Sequence, residues 1–412
     1  MPRANLPVFF VYVVLTAGIA VPNSIANASE SSPAFVPQPS HLTESKKRLQ
    51  SGDPLLLAAL NRLTRDANRA LRSTTFSVTH KELLPPSRDK HDYMSLAPYW
   101  WPDPNTSDGH SYVRRDGEIN PERDRTSDRK RLDQLVQAVK TLGLAYYFTG
   151  REEYAVHAAK LLRTWFLDDT TKMNPHLRYA QAVPGRNNGR PEGIIETHNL
   201  PELIDAVALL GASKSWPQTD QKRLGDWFTS YLAWLRESPE GRTEAKAQNN
   251  HGTWYDVQIA SFAVFTGQND VAKRILLEFA AERIVKQIEP DGRQPHELRR
   301  TQAWNYSIFN LEALFNAAAI GEKIGVDLWN YESSDKRSMR KALDWLIPFA
   351  TREKKWTYKQ LSIFQPEKIA PLLRRAAIQY RAAAYERVLS KIAGVATDQR
   401  WQLLYPTITP PR

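Results

Sequence analysis

The stretch YYFTGREEYAVHAAKLL, from Tyr146 to Leu162, shows how this chain is built. A helical pattern of apolar residues ends at Phe-Thr-Gly150, and a second pattern begins within a few residues. Glycine suits the left-handed conformation that ends a helix, so the stretch predicts two helices joined by a tight turn. The stretch AVFTGQNDVAKRILLEF, from Ala263 to Phe279, repeats this arrangement. Helical hairpins that cannot bury their faces alone must stack, which predicts an all-α solenoid or a closed helical toroid.

Apolar residues at spacings of three and four predict helices along most of the chain. The predicted segments are Pro54–Arg72, Arg129–Phe148, Glu152–Phe166, Leu200–Leu210, Thr219–Arg236, His251–Phe265, Asp270–Ile288, Ile308–Ile324 and Arg337–Phe349. Strand-like alternation is scarce. We therefore expect residues 53–412 to form a single helical domain.

The N-terminus has the features of an export signal. Arg3 precedes the apolar run LPVFFVYVVLTAGIA, and Ala26-Asn27-Ala28 follows with an A-x-A pattern of small residues. This predicts a signal peptide, residues 1–28, that is cleaved after Ala28, and hence a periplasmic or secreted protein. A membrane anchor is the alternative, but the run is short for a span of about 20 residues, so we expect no span in the mature chain. Residues 29–52 are rich in Ser and Pro and predict a flexible lead-in.

The composition limits the possible partners and chemistry. The chain carries 56 basic and 45 acidic residues, a net charge of +11 that suits a polyanionic partner. No RNP-like segment, zinc finger or basic heptad region supports nucleic acid, whereas an acidic polysaccharide satisfies the same electrostatics. Solubility alone explains the charge equally well. The chain has no cysteine and no metal-ligand spacing such as HExxH, so we expect no cofactor and no metal.

Two long irregular segments are predicted to be functional. The segment from Arg88 to Pro121 is dense in Pro, Asp and Gly and carries Tyr99, Trp100 and Trp101. Long loops in compact domains are usually functional or disordered, and aromatic residues argue against disorder. Flat rings near arginines suit sugars that bear carboxylates, so these three are candidate substrate-binding residues. Alternatively, the tryptophans pin the loop onto the core.

The second irregular segment, from Asn174 to Asn199, ends in the stretch GRPEGIIETHN. His198 lies there, ahead of a predicted helix. A substrate contact and a buried, hydrogen-bonded structural role are equally consistent with its position.

Four further residues match the requirements of β-elimination from a uronic acid polymer. The C5 proton beside the carboxylate is very weakly acidic until that carboxylate is neutralised, and amide and guanidinium donors such as Asn250 and Arg300 can do this. The reaction also needs a base for the C5 proton and an acid for the C4 oxygen, and His251 and Tyr306 are suitable types. A nearby Arg300 would help Tyr306 to lose its proton by lowering its pKa.

The stretches around these residues resemble a known family. QNNHGTWYD resembles the NNH motif of the alginate lyase superfamily, and DGRQPHELRRTQAWNY is similar to a signature of its branch called polysaccharide lyase family thirty-eight. HDYMSLAPYWWPDP and GRPEGIIETHNL also resemble segments of that branch. The resemblance extends from about Asp53 to the last helices. It implies an α/α toroid, an incomplete helical barrel, with a cleft for uronate polymers.

The resemblance also implies a role for each of the four residues. Asn250 and Arg300 match the carboxylate neutralisers of the family, Tyr306 its catalytic tyrosine and His251 its histidine. Arg300 is preferred to Arg299 because a threonine follows it, as in the family pattern. Arg299 remains a candidate substrate-binding residue.

The expected function is a secreted polysaccharide lyase acting on β-1,4-linked uronates, with mannuronate-rich alginate first and glucuronan second. Tyr306 alone could serve these substrates, whose C5 proton and departing oxygen lie on the same side. Guluronate would need His251 as base and Tyr306 as acid. Two alternatives remain: a helical-toroid glycoside hydrolase using Glu196 and Asp256, and a non-catalytic uronate-binding protein. Endo or exo action and oligomeric state do not follow from the sequence.

Overall fold

The computed structural model describes residues 38–106, 111–126 and 128–407. The predicted signal peptide and residues 29–37 of the predicted lead-in lie outside these ranges. Helices dominate the described chain, and none of those helices is long and apolar enough to cross a membrane.

Helices and short strands make up the regular structure of the described residues. The helices are α1 (Pro39–Gln50), α2 (Pro54–Ala70), α3 (Asp128–Thr149), α4 (Glu152–Leu162), α5 (Leu200–Leu209), α6 (Gln218–Glu237), α7 (Pro239–Glu244), α8 (Asn250–Phe265), α9 (Asn269–Phe279), α10 (Pro295–Leu298), α11 (Ala303–Lys323), α12 (Met339–Ala350), α13 (Ala370–Gln379), α14 (Ala383–Lys391) and α15 (Trp401–Leu404). The strands are β1 (Met94–Leu96), β2 (Trp100–Pro102), β3 (Tyr112–Arg114) and β4 (Tyr179–Ala182).

Both helical hairpins predicted from the sequence are present. Gly150 separates α3 from α4 with a φ of 67°, and Gly267 separates α8 from α9 with a φ of 76°. Positive φ is the conformation that glycine adopts without steric cost, so each turn depends on its glycine. Short π-helical turns, 163–167 and 280–285, extend α4 and α9.

The helices form an inner and an outer row. In the inner row α3 packs on α5, α5 on α8, and α8 on α11. On the outer side α2 and α4 pack on α3, α6 and α9 on α8, and α12 on α11. Helix α8 is buried from Gly252 to Ala263, whereas the outer α9 buries only Ala272, Leu276 and Phe279. A helix that is enclosed on all sides and a helix that covers one side of it are the two layers of a helical toroid.

The predicted flexible lead-in is wrong where the structure describes it. Helix α1 occupies residues 39–50 and packs on α2 and α15. Leu42 is buried, and the Ser45 hydroxyl donates to the Leu403 carbonyl at 2.8 Å. This stabilising contact comes from a residue 358 positions away, so local composition carried no sign of it.

The two irregular segments predicted to be functional meet in a small sheet. Strand β1 pairs in parallel with β4, with Met94 opposite Tyr179 and Leu96 opposite Ala182. Strands β2 and β3 form an antiparallel ribbon in which Trp100 faces Arg114. The sheets fix the loop that carries Tyr99 and Trp100 beside the inner helices.

We expect Gly241 to be required for the packing of α7 against α6. A Cβ at this position would lie 1.7 Å from the Leu235 carbonyl oxygen. Gly241→Ala should therefore lower the free energy of unfolding by about 3 kcal/mol, the upper end of the usual cost of overpacking. Urea denaturation followed by circular dichroism would measure the change.

Gly225 in α6 provides the matched control, because no atom lies within 4 Å of a Cβ built there. Gly225→Ala should raise the free energy of unfolding by about 0.5 kcal/mol, since alanine favours the helix. Equal stability of the two variants would contradict the proposed close packing.

Candidate active site

A cleft of about 580 Å³ lies where the inner helices begin. The first turns of α3, α8 and α11 open into it, together with the loop before β2 and the segment that precedes α5. Its lining includes Tyr99, Trp100, Arg114, Arg129, Asp133, Arg190, Glu192, Glu196, His198, Glu244, Asn250, His251, Arg300, Tyr306 and Phe309. The four residues predicted to be catalytic thus share one cleft.

Asn250 is the first residue of α8 and is held by a buried carboxylate. It is only 1% exposed. Its backbone N–H donates to Glu297 Oε1 and its side-chain Nδ2 to Glu297 Oε2, both at 2.7 Å. Burial raises the pKa of Glu297, while the hydrogen bonds from Asn250 and the charges of Arg300 and His251 oppose that rise. Because an amide carries two N–H donors, one remains for a ligand.

His251 is bound to a second buried carboxylate. Its Nδ1 lies 2.6 Å from Glu244 Oε1, and Glu244 is only 2% exposed. Burial acts to lower the pKa of His251, but the adjacent Glu244 carboxylate outweighs it and the pKa lies above the usual value. The ring therefore holds a proton more firmly than a free imidazole does, and Nε2 is the nitrogen available to a ligand.

Arg300 is clamped by Asp116 from the loop after β3. Arg300 Nη2 donates to Asp116 Oδ1 at 2.8 Å and Nε to Oδ2 at 3.1 Å, while the Thr301 N–H donates to Oδ2 at 3.2 Å. Burial acts to raise the pKa of Asp116, but these donors outweigh it and lower the pKa to about 2. Asp116 is therefore an anion near neutral pH.

Tyr306 lies in the first turn of α11 between Arg300 and Tyr99. The guanidinium carbon of Arg300 is 4.0 Å from the Tyr306 ring centroid. The two tyrosine hydroxyl oxygens are 2.7 Å apart. Burial raises the pKa of Tyr306 above its usual value, and the Arg300 cation acts in the opposite direction. Tyr306 is thus a partly buried phenol with a cation at its face and a hydrogen-bonding partner at its oxygen.

Comparison with known proteins identifies the family. The profile of the alginate lyase family matches residues 77–356. A crystal structure of an alginate lyase from Bacteroides ovatus is 41% identical with a TM-score of 0.87, and the alignment covers 90% of this chain and 98% of that chain. This chain belongs to the alginate lyase family. It is therefore a polysaccharide lyase. A search of curated proteins finds no match.

Two more distant structures show the fold of this family member. Alginate lyase A1-III from Sphingomonas species A1 is 17% identical with a TM-score of 0.57, over 90% of this chain and 97% of that chain. A variant of alginate lyase A1-III complexed with tetrasaccharide is 16% identical with a TM-score of 0.58, over 92% and 98%. At these identities the similarity concerns the fold alone, and it confirms the predicted α/α toroid.

The aromatic residues predicted to bind substrate differ in position. Trp100 lines the cleft of the lyase, with the guanidinium carbons of Arg186 and Arg190 at 4.6 and 5.6 Å from its ring centroid. Trp101 is not among the cleft residues, and its Nε1 donates to the Glu118 carbonyl at 3.0 Å. Adjacent residues of a strand point to opposite faces, which explains the separation.

The two neighbouring arginines also separate. Arg300 enters the cleft, whereas Arg299 is exposed and is not among the residues that line it. Arg299 Nη2 donates to His296 Nδ1 at 2.9 Å, and Nε donates to the Pro295 carbonyl at 3.2 Å. The geometry thus gives no support to the prediction that Arg299 binds substrate.

His198 is both part of the cleft wall and fixed by its own contacts. It lines the cleft, and its Nδ1 lies 2.8 Å from the Ile195 carbonyl oxygen. Its ring packs edge-on against Trp254 and Phe309 at 5.1 and 5.0 Å between centroids. Burial lowers its pKa to about 4, so the ring is neutral near pH 7. A neutral, fixed imidazole suits a structural or hydrogen-bonding role better than charge neutralisation.

The carboxylates of the alternative hydrolase mechanism do not face one another across the cleft. Glu196 lines it but accepts hydrogen bonds from Tyr93 at 2.8 Å and Ser95 at 2.6 Å. Asp256 is not among the cleft residues and is 6% exposed, with Arg283 Nε donating to it at 2.7 Å. Hydrolysis needs two carboxyl groups that flank the same glycosidic bond. This pair does not meet that requirement.

Three acidic partners, Asp116, Glu244 and Glu297, were not predicted from the sequence. Asp116 and Glu244 lie in none of the stretches that resemble the family, and Glu297 lies within DGRQPHELRRTQAWNY without an assigned role. Each becomes important only through a contact with another segment. No group of His, Asp and Glu suited to a metal ion occurs among the residues that the structure describes.

Proposed function

We propose that this lyase cleaves mannuronate-rich alginate by β-elimination, with Tyr306 transferring the proton. The observation that carries the proposal is the contact between His251 Nδ1 and Glu244, because it favours a protonated ring. A protonated histidine cannot act as a base. In this proposal the tyrosine takes up the C5 proton and also returns it to the departing oxygen.

The remaining groups receive roles from their contacts. The free N–H of Asn250 and the Nε2–H of His251 would bind the uronate carboxylate and so acidify the C5 proton. Arg300 is occupied by Asp116 and lies over the Tyr306 ring, so its charge would stabilise the phenolate form of Tyr306. This differs from the role that the family resemblance implies for Arg300, which is neutralisation of the carboxylate.

The bond changes balance without any further reactant. The Tyr306 phenolate takes the C5 proton, and the electron pair of that C–H bond forms the C4–C5 double bond. The C4–O bond breaks, and the departing oxygen receives the proton from Tyr306. The enzyme returns to its starting state, and the new chain end is unsaturated.

Stereochemistry favours mannuronate within this mechanism. One residue can serve both steps only if the C5 proton and the departing oxygen lie on the same side, as they do in mannuronate and glucuronate. Guluronate places them on opposite sides and needs a separate neutral base. Since the chain belongs to the alginate lyase family, we propose mannuronate-rich alginate as the preferred substrate and glucuronan as the second choice.

We further assign the chain to the branch called polysaccharide lyase family thirty-eight. The support is that each of the four stretches that resemble this branch contributes a residue to the same cleft. These residues are Tyr99, His198, Asn250 and Tyr306. A sequence tree of the superfamily that placed the chain on another branch would contradict this assignment.

We also propose that the enzyme is exported, with the signal peptide cleaved after Ala28. The support is the N-terminal sequence, together with a basic mature chain whose polymeric substrate lies outside the cell. N-terminal sequencing of the protein recovered from the periplasm or the medium should begin at Ser29. Recovery of the uncleaved chain in the cytoplasm would contradict export.

The substrate prediction can be tested by ultraviolet absorbance, which reports the conjugated double bond. The mature protein should act fastest on polymannuronate, more slowly on glucuronan, and slowest on polyguluronate. Tyr306→Phe should lower the rate by at least about 10³-fold, within the range expected for acid–base catalysis, because phenylalanine cannot carry the proton. Its thermal unfolding should match the wild type.

Tyr358→Phe is the matched control. Tyr358 packs against Trp345 and Trp356 and is not among the cleft residues, so this variant should keep its activity. A faster reaction with polyguluronate, or retained activity of Tyr306→Phe, would contradict the mechanism. Saturated products would indicate a hydrolase, and binding without cleavage would indicate a binding protein.

A further inference from the structure

We infer that Glu244 is a positioning and specificity-determining residue: its carboxylate keeps a proton on His251 and thereby favours elimination from mannuronate over elimination from guluronate. This inference rests on the proposed function of the same cleft. It concerns a residue that carries no sequence motif.

The contact is direct and sheltered from water. His251 Nδ1 and Glu244 Oε1 are 2.6 Å apart, and the two side chains are 19% and 3% exposed. Charge-assisted hydrogen bonds of this length are roughly twice as strong as neutral ones, and burial reduces screening by salt. The ring is therefore fixed in orientation, with Nδ1 towards Glu244 and Nε2 left for the substrate.

The position of Glu244 is built into the backbone. Helix α7 starts at the cap Ser238, whose hydroxyl oxygen accepts the Gly241 N–H at 3.0 Å, and it ends at Glu244. The turn that follows is held by Arg283, which donates to the Ala245 carbonyl at 2.7 Å and the Ala247 carbonyl at 2.8 Å. The carboxylate therefore approaches His251 from a rigid support.

Other charged groups near His251 are already paired. Glu192, from the short 3₁₀ turn before α5, is bonded to Arg190 at 2.5 Å. Arg300 is bonded to Asp116 at 2.8 Å, and Glu297, from α10, accepts the backbone N–H and one side-chain N–H of Asn250. Among Glu192, Arg300, Glu297 and Glu244, the hydrogen bond to the His251 ring comes from Glu244.

The location of a single proton decides which reaction is possible. Either route needs His251 and Tyr306 to hold one proton between them, a state that forms when the more acidic of the two groups has lost its proton. Same-side elimination needs the proton on His251, which leaves Tyr306 as the phenolate base. Opposite-side elimination needs neutral His251 as base and the Tyr306 hydroxyl as acid. A carboxylate at Nδ1 stabilises the first arrangement and disfavours the second.

The same contact fixes the sign of the pH dependence. Activity should rise with pH as the first proton leaves the pair, at a pH set by His251. Glu244 raises the pKa of His251, so this acid limb should lie above the usual histidine value of about 6.5. Without the carboxylate, burial would lower the pKa of His251 and move the limb to lower pH.

The test compares Glu244→Gln with the wild type on polymannuronate and polyguluronate over a range of pH. The variant keeps the shape of the side chain but removes its charge. We expect the acid limb of kcat/KM to move down by about one pH unit and the ratio of polyguluronate to polymannuronate activity to rise about tenfold, since one pKa unit is a tenfold change in proton affinity. Glu240→Gln, on the same helix and outside the cleft, should change neither value.

A purely structural role would give a different result. Glu244→Gln would then lower activity on both polymers equally and would not move the acid limb of the pH profile. That result would overturn the inference. Should Glu244→Gln fail to fold, Glu244→Asp keeps the charge at a longer distance and should show smaller changes in the same directions; no change in either value would overturn the inference.

Failure of the proposed function can be distinguished from failure of the inference about Glu244. If the wild type cleaves neither polymer, the proposed function fails, and NMR titration of His251 still tests the contact. A pKa of His251 that is lower in Glu244→Gln than in the wild type would support the contact, and an unchanged pKa would overturn it.

Discussion

The burial of helix α8 on all sides determines where the active site can lie. This helix packs against α5, α6, α9 and α11, so its length from Gly252 to Ala263 is closed to water. Its first turn holds Asn250, whose backbone N–H and one side-chain N–H both donate to Glu297. Glu297 lies just before Arg300 and α11, so one carboxylate fixes the start of α8 relative to the segment that carries Arg300 and Tyr306.

The orientation of the inner helices adds to the electrostatics of the cleft. Helices α3, α8 and α11 all begin at the cleft, and the N-terminal end of a helix carries a partial positive charge. Together with the basic side chains, this favours a polymer that bears a carboxylate on every residue.

Buried carboxylates keep these positive charges in fixed positions. An unpaired buried charge costs several kcal/mol, and breaking a buried pair commonly costs about 3–5 kcal/mol. Asp116 pairs with Arg300, and Glu244 pairs with His251. These pairs leave a limited number of donors facing the substrate. The cleft therefore has its donors oriented before the polymer arrives, which is the condition under which electrostatic stabilisation is most effective.

Helical periodicity was sufficient to predict the main helices and both hairpins. Pro54–Arg72 and His251–Phe265, for example, agree with α2 and α8 to within two residues at each end. The resemblance to a known family supplied the four residues that share the cleft. The short helices α7, α10 and α15 were not predicted, because too few residues carry a period, and α13 and α14 were also missed.

Pairings between distant residues could not be read from the sequence. Glu297 meets Asn250 across 47 positions, and Asp116 meets Arg300 across 184 positions. The sequence also could not separate Trp100 from Trp101, or place Arg299 outside the cleft, because the direction of a side chain depends on how its segment is packed. Helix α1 was missed for the same reason, since its partner lies at the other end of the chain.

The most direct test is a crystal structure of Tyr306→Phe with a bound mannuronate tetrasaccharide. The substrate carboxylate should lie within about 3.2 Å of His251 Nε2 and Asn250 Nδ2, with the C5 hydrogen and the C4 oxygen of that sugar both facing the ring at position 306. His251 should keep its contact with Glu244. A carboxylate bound away from His251, or a ring at position 306 on the face opposite the C5 hydrogen, would contradict elimination by Tyr306.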